Sequence, residues 1–239
     1  MKHVPNFITS LNLAAGFFAV IFAADGDLLT ASWFILAAMI FDFLDGFSAR
    51  LLKAYSPIGK ELDSLADVVS FGVAPALIIY KLLSASLKVS GPMTTGNNSL
   101  VITLLLIIPV LMPVCAALRL AIFNIDKTQT TTFKGLPTPA NALAVISLVI
   151  SGHYSQQAIP GSFTGSHVFL IIFTILLSAL MVSRIPLLSM KFSNLKIKGN
   201  EGRFILAVLV LVSFIFFGIK AIPLIIPLYI IASFLSLLF

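Results

Sequence analysis

Long apolar runs constrain this chain more than any other feature of its sequence. Each is close to the roughly 20 residues that a helix needs to cross a bilayer, and together they make the chain 59% hydrophobic and only 10% charged. A soluble domain is about half apolar and about a quarter charged. We therefore predict an all-α integral membrane protein with about eight transmembrane helices. The runs lie at about 5–24, 28–52, 61–85, 99–123, 138–156, 165–184, 202–219 and 221–239.

The organisation of the chain is simple. It has no polar stretch long enough for a soluble domain, so residues 1–239 are expected to form a single transmembrane domain. The last two runs, 202–219 and 221–239, are separated only by a short stretch before Pro223, so they form either a tight hairpin or one kinked element. With one cysteine, Cys115, no disulfide within the chain can form.

The basic residues predict the orientation of the chain. With eight spans, twelve lysines and arginines fall on one side and three on the other, and the richer side is expected to be cytoplasmic. The poorer side holds Lys81, Lys88 and Lys220. Because the +6 net charge is scattered between apolar spans, it indicates contact with acidic lipid headgroups and no nucleic-acid partner. The N-terminus should therefore face the cytoplasm, in the cell membrane.

Four aspartates lie where a membrane protein is least expected to carry charge. Asp42 and Asp45 are three residues apart on one predicted helix, and Asp63 and Asp67 are four apart on the next, so each pair projects from one helix face. Counted from a turn at Tyr55, both pairs lie at similar depth in an antiparallel hairpin, roughly 15 Å from its cytoplasmic end at 1.5 Å per residue. We expect all four carboxylates to form one site.

Such a site needs cations. Four carboxylates in a low-dielectric environment cannot all stay ionised unless positive charge neutralises them. Oxygen ligands favour magnesium, manganese or calcium over zinc. Since one magnesium ion seldom uses four protein carboxylates, two divalent cations, Mg²⁺ or Mn²⁺, are expected, and paired ions of this kind serve phosphoryl transfer.

The acidic residues belong to a longer pattern, which resembles the CDP-alcohol phosphotransferase family at every position of its signature. The matching residues are Asp42, Asp45, Gly46, Ala49, Arg50, Gly59, Asp63 and Asp67. The resemblance implies a core of six transmembrane helices, with 202–239 as accessory helices, and a homodimer. It also implies a cytoplasm-facing cavity in which a CDP-linked donor passes its phosphoryl group to a hydroxyl and releases CMP.

Roles follow from the same resemblance, position by position. Asp42, Asp45 and Asp63 are expected to be metal ligands, and Asp67 is expected to be the general base while also touching the metal site. Gly46, Ala49 and Arg50 would belong to the nucleotide and diphosphate pocket, where Gly59 keeps the helix approach open. For Gly46, Ala49 or Gly59 taken alone, ordinary tight helix packing is the better explanation, and only the whole pattern favours a pocket.

Three further stretches resemble the branch of the family that transfers the phosphatidyl group of CDP-diacylglycerol to L-serine. They are PNFITSLN at 5–12, RLAIFN at 119–124 and FKGLPTPAN at 133–141. Related enzymes commonly carry a second arginine where Ile122 stands here. Arg119, a cation in an apolar helix, suits the serine carboxylate, unless it reaches the membrane interface instead. Lys134 is either a phosphate contact or a positive anchor.

Other interpretations stay open. Asn6, Thr9 and Asn12 share one helix face, and they either line the nucleotide pocket or hydrogen-bond to a neighbouring helix. A different acceptor, glycerol 3-phosphate or inositol, would place the chain in another branch of the same family. An intramembrane prenyltransferase also uses aspartates and magnesium, but on widely separated helices. A divalent-cation transporter would normally need access from both sides of the membrane.

Overall fold

The structure is a computed structural model that describes residues 3–89, 100–125, 133–154, 163–188 and 201–236, without the side chains of residues 133, 134 and 201. The helices are α1 (Val4–Asp25), α2 (Leu28–Leu51), α3 (Pro57–Asp67), α4 (Ala74–Ser86), α5 (Leu100–Ile107), α6 (Leu111–Ile125), α7 (Thr138–Tyr154), α8 (His167–Val182), α9 (Glu201–Phe217) and α10 (Ile225–Leu235). A π-helical segment, Val68–Val73, joins α3 to α4. Two 3₁₀ segments, Ile108–Val110 and Gly218–Leu224, join α5 to α6 and α9 to α10.

The predicted all-α membrane class is confirmed. Five stretches of the described chain are apolar and long enough to cross a bilayer: Val4–Asp25, Leu28–Leu51, Pro57–Ser86, Leu100–Ile125 and Gly202–Leu235. Helices α7 and α8 are shorter, at 17 and 16 residues. All eight predicted runs fall on described helical segments, although the predicted start at residue 99 and the predicted ends at residues 156 and 239 lie outside the described part. The number of crossings stays a prediction.

Local signals explain how α1 begins and ends and how α2 begins. α1 has Pro5 in its first turn and ends at Gly26, whose φ of 91° is left-handed, a conformation that glycine adopts without strain. Asp27 then caps α2, since its Oδ1 accepts a hydrogen bond from the Thr30 amide at 3.0 Å. The hydrogen bonds from Thr30 hold the pKa of Asp27 below its usual value. The α1–α2 connection is therefore tight, and the two helices pack side by side.

The third helix begins earlier than the apolar run that predicted it. The prediction placed its start at residue 61, whereas α3 begins at Pro57. Proline suits the first turn of a helix because it has no amide hydrogen to leave unpaired. The Ser56 hydroxyl accepts a hydrogen bond from the Gly59 amide at 3.0 Å and so caps the helix. The polar first turn carries Gly59 and Lys60, which hydropathy alone assigned to the connection.

The π-helical segment is held between two other helices at very short range. A Cβ atom built on Gly16 of α1 would overlap Ser70, lying 2.8 Å from its Cα. A Cβ on Gly72 would lie 3.1 Å from both Pro113 Cα and Ala116 Cβ of α6. Glycine at these two positions lets the backbones approach closely. The segment directly after Asp67 is thereby fixed against α1 and α6.

A short backbone clamp holds the start of α7. Strand β1 (Phe133–Lys134) pairs antiparallel with β2 (Pro186–Leu187), with Phe133 opposite Leu187. Gly135 follows with a φ of 78°, and a Cβ there would lie 2.6 Å from the Met181 carbonyl oxygen. Only glycine fits such a turn without strain. The clamp sets where α7 enters the bundle.

The C-terminal helices form a hairpin, which decides between the two forms that the sequence left open. A Cβ on Gly202, at the start of α9, would lie 2.6 Å from the Cβ of Ser236, just after α10. The chain therefore reverses at the 3₁₀ segment. The Tyr229 hydroxyl donates to the Leu188 carbonyl at 2.9 Å, and the Leu188 amide donates to Ser233 Oγ at 3.1 Å. These two bonds attach α10 to the end of β2.

Candidate metal centre

Three of the four aspartates come together between α2 and α3. Carboxylate oxygens of Asp42, Asp63 and Asp67 lie within 4.8 Å of one another. The spacing of three residues on α2 and four on α3 directs these side chains inward, and the short connection between the helices brings them to one level, as the sequence predicts. Asp67 is only 6% exposed. The site is therefore a cluster of negative charge inside the helix bundle.

Asp45 is not one of the three carboxylates of that cluster, although it interacts electrostatically with Asp42 and Asp63, and it has its own hydrogen-bond partner. It is 6% exposed, and its Oδ2 lies 2.6 Å from the Thr9 hydroxyl of α1. The same hydroxyl lies 3.0 Å from the Pro5 carbonyl. Because a hydroxyl has one proton and a charged acceptor binds it more strongly, Thr9 chiefly serves Asp45. The first helix thus fixes one carboxylate of the signature.

Asn12 fixes a second carboxylate from the same face of α1. Its Nδ2 donates to Asp67 Oδ1 at 3.3 Å, and its backbone carbonyl accepts a hydrogen bond from the Ser70 hydroxyl at 3.1 Å. Asn12 and Ser70 are both fully buried. Of the two interpretations of the Asn6, Thr9 and Asn12 face, hydrogen bonding to neighbouring helices describes Asn12, Asn6 lines a cavity, and Thr9 does both.

The donor set fits divalent cations. Carboxylate oxygens this close repel one another, and burial raises the cost of keeping them charged unless a cation neutralises them. Asp63 Oδ1 is buried and has no hydrogen-bond partner among the described residues, so it is available as a ligand. The donors are all hard oxygens, which suit Mg²⁺ or Mn²⁺ better than zinc.

A cavity of about 210 Å³ opens beside Asp45 and Asp63, and Gly46, Ala49 and Gly59 line it. This is smaller than a typical ligand pocket of about 300–1,000 Å³, so it has room for one part of a substrate, such as a base with its sugar. A Cβ on Gly46 would meet nothing within 4 Å. A Cβ on Gly59 would lie 2.8 Å from Asn6 Oδ1. Gly46 therefore borders open space in the cavity, whereas Gly59 allows α3 to approach α1 closely.

Arg50, the remaining member of the signature, does not line this cavity. Its side chain is exposed and turns back along α2, where Nε donates to the Gly46 carbonyl at 3.0 Å. Lys60, which the sequence did not single out, lines the cavity. Its Nζ donates to the Asn124 carbonyl at 2.9 Å, and Asn124 Nδ2 donates to Ser64 Oγ at 2.9 Å. These bonds attach α3 to the end of α6.

Arg119 of α6 is the residue that the sequence assigned to the acceptor. It is 9% exposed, and its Nε is buried with no hydrogen-bond partner among the described residues. The guanidinium interacts electrostatically with Asp67 and with Tyr229 of α10. Lys134 has its backbone in β1, and its side chain lies outside the described part of the structure. The structure thus brings Arg119 towards the aspartates and leaves the position of the lysine amine open.

The partners of several polar residues around the site could not be read from the sequence. Ser70 stands in a run that resembles ordinary membrane helix, and Asn141 ends the FKGLPTPAN stretch but was given no role of its own; the partners of both are far away in the chain. Thr9 and Asn12 were visible as a polar face of α1, but not as partners of particular aspartates. A search for polar residues at helical spacing finds the face; it does not find what the face contacts.

Comparison with known proteins agrees with the signature in the sequence. Residues 2–180 match the family model described as CDP-alcohol phosphatidyltransferase. Over 202 residues the chain is 34% identical to the CDP-diacylglycerol–serine O-phosphatidyltransferase of Bacillus subtilis (strain 168), covering 84% of this chain and 96% of that protein. A Helicobacter pylori (strain ATCC 700392 / 26695) protein of the same name is 32% identical over 238 residues, covering 98% of this chain and 91% of its own.

An archaeal protein is also similar. The archaetidylserine synthase of Methanothermobacter thermautotrophicus is 32% identical over 155 residues, covering 64% of this chain and 60% of that protein. The C-terminal hairpin lies beyond the family match, which ends at residue 180. Because the match spans most of the chain, includes all four aspartates and agrees with relatives covered over most of their length, the chain belongs to the CDP-alcohol phosphatidyltransferase family.

Proposed function

We propose that this protein transfers the phosphatidyl group of CDP-diacylglycerol to the hydroxyl of L-serine and releases CMP. The observation that carries the proposal is the cluster of Asp42, Asp63 and Asp67, three residues of the family signature in contact range. The names of the bacterial relatives support the choice of serine as acceptor.

The four aspartates are proposed to hold two divalent cations, Mg²⁺ or Mn²⁺, with Asp42, Asp45 and Asp63 as ligands and Asp67 at the edge of the site. When bound, such ions neutralise a diphosphate and stabilise the charge that develops on the leaving CMP. Thr9 holds the Asp45 carboxylate in place through its 2.6 Å hydrogen bond.

Asp67 is the proposed general base. It takes the proton from the serine hydroxyl as that oxygen forms a bond to the phosphorus bearing the lipid, while the bond from this phosphorus to the CMP oxygen breaks. Asn12 occupies one carboxylate oxygen of Asp67 at 3.3 Å, so the other oxygen is the one left to accept the proton. Among the described residues, no cysteine or histidine joins the cluster, and Ser56, which lines the cavity, caps α3 through the Gly59 amide. We therefore favour direct displacement over a covalent enzyme intermediate.

The cavity beside Asp45 is the proposed nucleotide pocket. Gly46 and Ala49 give the cytidine a flat surface, and Gly59 faces it from α3. Arg50 is proposed to contact the diphosphate, for which its side chain must leave the Gly46 carbonyl that it now binds. Lys60 lines the same cavity and adds a second positive charge near the phosphates.

The acceptor side is assigned to Arg119, with Lys134 as a second contact. A guanidinium binds a carboxylate through two parallel hydrogen bonds, and serine has a carboxylate where inositol has none. Arg119 is buried with an unpaired Nε, which favours an anionic partner inside the protein over a side chain that reaches out to the membrane interface.

The proposed membrane location, orientation and oligomeric state are based on the sequence. The chain is a multi-pass membrane protein, and the excess of basic residues on one side supports an N-terminus and active site that face the cytoplasm. The same reasoning assigns it to the cell membrane. A homodimer is proposed from the family resemblance.

The test is an assay of the purified protein with CDP-diacylglycerol and either Mn²⁺ or Mg²⁺. Serine, glycerol 3-phosphate and inositol are offered in parallel, and CMP is measured. We expect CMP release with serine alone. Release with glycerol 3-phosphate or inositol instead would assign the chain to another branch of the family. No release with any acceptor, together with metal flux into proteoliposomes, would favour the transporter.

A further inference from the structure

The chain leaves α-helical geometry directly after Asp67. Val68–Val73 is π-helical, and α-helix resumes at Ala74. A π-helix is a rare, wider turn that occurs mostly as single turns inside α-helices, frequently at functional sites. Its presence next to a signature aspartate raises the question of what holds it there.

Asn141 of α7 supplies a hydrogen bond to this segment. Its Nδ2 donates to the Phe71 carbonyl at 3.1 Å, across 70 residues of chain. Asn141 and Phe71 are both fully buried. The contact therefore fixes the backbone of the π-helical segment from inside the bundle.

The second polar atom of the Asn141 side chain shows that an asparagine is not needed here to fill space in the bundle. Its Oδ1 is buried with no partner among the described residues, and a buried unpaired acceptor costs about 1–3 kcal/mol. Leucine is similar in size and would avoid that cost. An asparagine whose second polar atom is unpaired is better explained by the one bond that it does make.

That bond leads to the metal centre through a short series of contacts. Phe71 is adjacent to Ser70, whose hydroxyl donates to the Asn12 carbonyl at 3.1 Å. Asn12 in turn donates to Asp67 Oδ1 at 3.3 Å. The π-helical segment is thus held from α7 on one side and from α1 on the other, and Asp67 stands at its first turn.

We propose that Asn141 is a positioning residue of the metal centre, which holds the π-helical segment so that the Asp67 carboxylate stays with those of Asp42 and Asp63. This rests on the proposed function, since it takes the three carboxylates as a metal site. Asn141 itself touches neither metal nor substrate in this assignment. Its effect passes through the backbone of residues 68–71.

The test compares Mn²⁺ binding by variants of the full-length protein purified in detergent. Asn141→Leu removes the amide donor and keeps the volume. Loss of an outer-shell partner typically costs about 10- to 100-fold in metal affinity, and since Asn141 acts at a distance we expect a rise of about tenfold in the dissociation constant for Mn²⁺. Electron paramagnetic resonance of free Mn²⁺ measures it with no substrate present. Because Asn141→Leu also removes the unpaired Oδ1, we expect its thermal midpoint to change little.

Two further variants make the result decisive. Ser70→Ala removes the second attachment of the π-helical segment with a smaller change in volume, and it should weaken Mn²⁺ binding in the same direction if Asn141→Leu fails to fold. Ser147→Ala is the matched control, because Ser147 is buried on the same helix and, among the described residues, its hydroxyl bonds only the Ala144 carbonyl. It should bind Mn²⁺ like the unchanged protein.

The outcomes separate the two proposals. If the unchanged protein binds Mn²⁺ and both Asn141→Leu and Ser70→Ala bind it equally well, the positioning role is wrong while the metal centre stands. If Ser147→Ala loses as much affinity as Asn141→Leu, the effect is general loosening of the bundle and the positioning role is again wrong. If the unchanged protein binds no Mn²⁺, the metal centre itself fails and this inference fails with it.

Discussion

Two helical hairpins of this protein differ in the number of acidic residues that they carry and in the hydrogen bonds that they make. The α2–α3 hairpin carries four aspartates and is surrounded by hydrogen bonds from α1. The α9–α10 hairpin carries one acidic residue, Glu201 at the first position of α9, and the hydrogen bonds of Tyr229 and Ser233 attach α10 to one backbone position, Leu188. The first lies inside the family match and the second outside it.

The difference shows where polar groups are tolerated inside a membrane protein. In the α2–α3 region, the hydrogen bonds from α1 end at the carboxylates of Asp45 and Asp67, so the buried polar groups there hold the site in place. In the C-terminal hairpin the polar contacts attach a helix to a strand and could be replaced by packing. Changes in the first region should therefore alter chemistry, and changes in the second should alter stability.

The largest effect is expected from Asp67→Asn, which removes the proposed base and keeps the shape of the side chain. A positioned general base contributes about 10²- to 10⁴-fold, so turnover should fall by that factor while CDP-diacylglycerol still binds at saturating Mn²⁺, a concentration that offsets the weaker metal affinity expected when one carboxylate of the cluster loses its charge. Rates of CMP release and binding of the lipid are measured on the same preparation. If binding falls as far as in Asp45→Asn, Asp67 is chiefly a metal ligand.

Arg119→Ala should act on one substrate alone. Hydrogen bonds to a charged group are worth about 1.5–3 kcal/mol, so the KM for serine should rise by about 10- to 100-fold. The KM for CDP-diacylglycerol should change little. Steady-state kinetics with each substrate varied in turn measures both constants, and an equal rise in the two would contradict the carboxylate role.

Thr9→Val tests whether α1 supports the metal centre. Valine keeps the shape of threonine and removes the 2.6 Å bond to Asp45, so Mn²⁺ affinity should fall by about tenfold, as for other outer-shell partners. Thr174→Val is the matched control, because Thr174 is also buried and, within the described part of the chain, its hydroxyl bonds only the Leu170 carbonyl. Equal affinity of Thr9→Val and the control would mean that α1 does not support Asp45.

A pair of glycine variants compares the two hairpins directly. Gly16→Ala would press on the Ser70 backbone, and Gly202→Ala would press on Ser236 and Leu188. Overpacking costs about 1–3 kcal/mol, so both should lower the thermal midpoint. Only Gly16→Ala should also weaken Mn²⁺ binding, because it displaces the π-helical segment.

Gly152→Ala is the control for that pair, since a Cβ there meets nothing within 4 Å. It should leave the thermal midpoint unchanged or raise it slightly. Loss of Mn²⁺ affinity in Gly202→Ala would show that the C-terminal hairpin supports the metal centre after all, and the contrast between the two regions would not hold.

The smallest effect is expected from Tyr229→Phe. It removes the hydrogen bond to the Leu188 carbonyl, which should lower the free energy of unfolding by about 1 kcal/mol and the thermal midpoint by about 2–4 °C. Turnover and the KM for serine should stay the same. Tyr229 interacts electrostatically with Arg119. A raised KM for serine would therefore place Tyr229, and with it part of the C-terminal hairpin, on the acceptor side of the site.

Much of the candidate site is predictable because its signals are local. The spacing of Asp42 and Asp45, and of Asp63 and Asp67, follows from helical geometry, and the short turn at Tyr55 brings the two faces together. The remaining contacts are not local. Asn12 meets Asp67 across 55 residues and Asn141 meets Phe71 across 70, so no periodicity in either segment names the partner.

The sequence by itself determined the membrane environment, the helical runs, the hairpin with four aspartates and the family, because hydropathy, helical spacing and a short motif all act over a few turns of chain. Only the tertiary structure decided that Asp42, Asp63 and Asp67 form the close cluster while Asp45 pairs with Thr9. It also decided that α9 and α10 turn back on each other, and that Asn141 reaches the π-helical segment. These features depend on how helices rotate and approach one another, which is set by side-chain packing and close glycine contacts between distant parts of the chain.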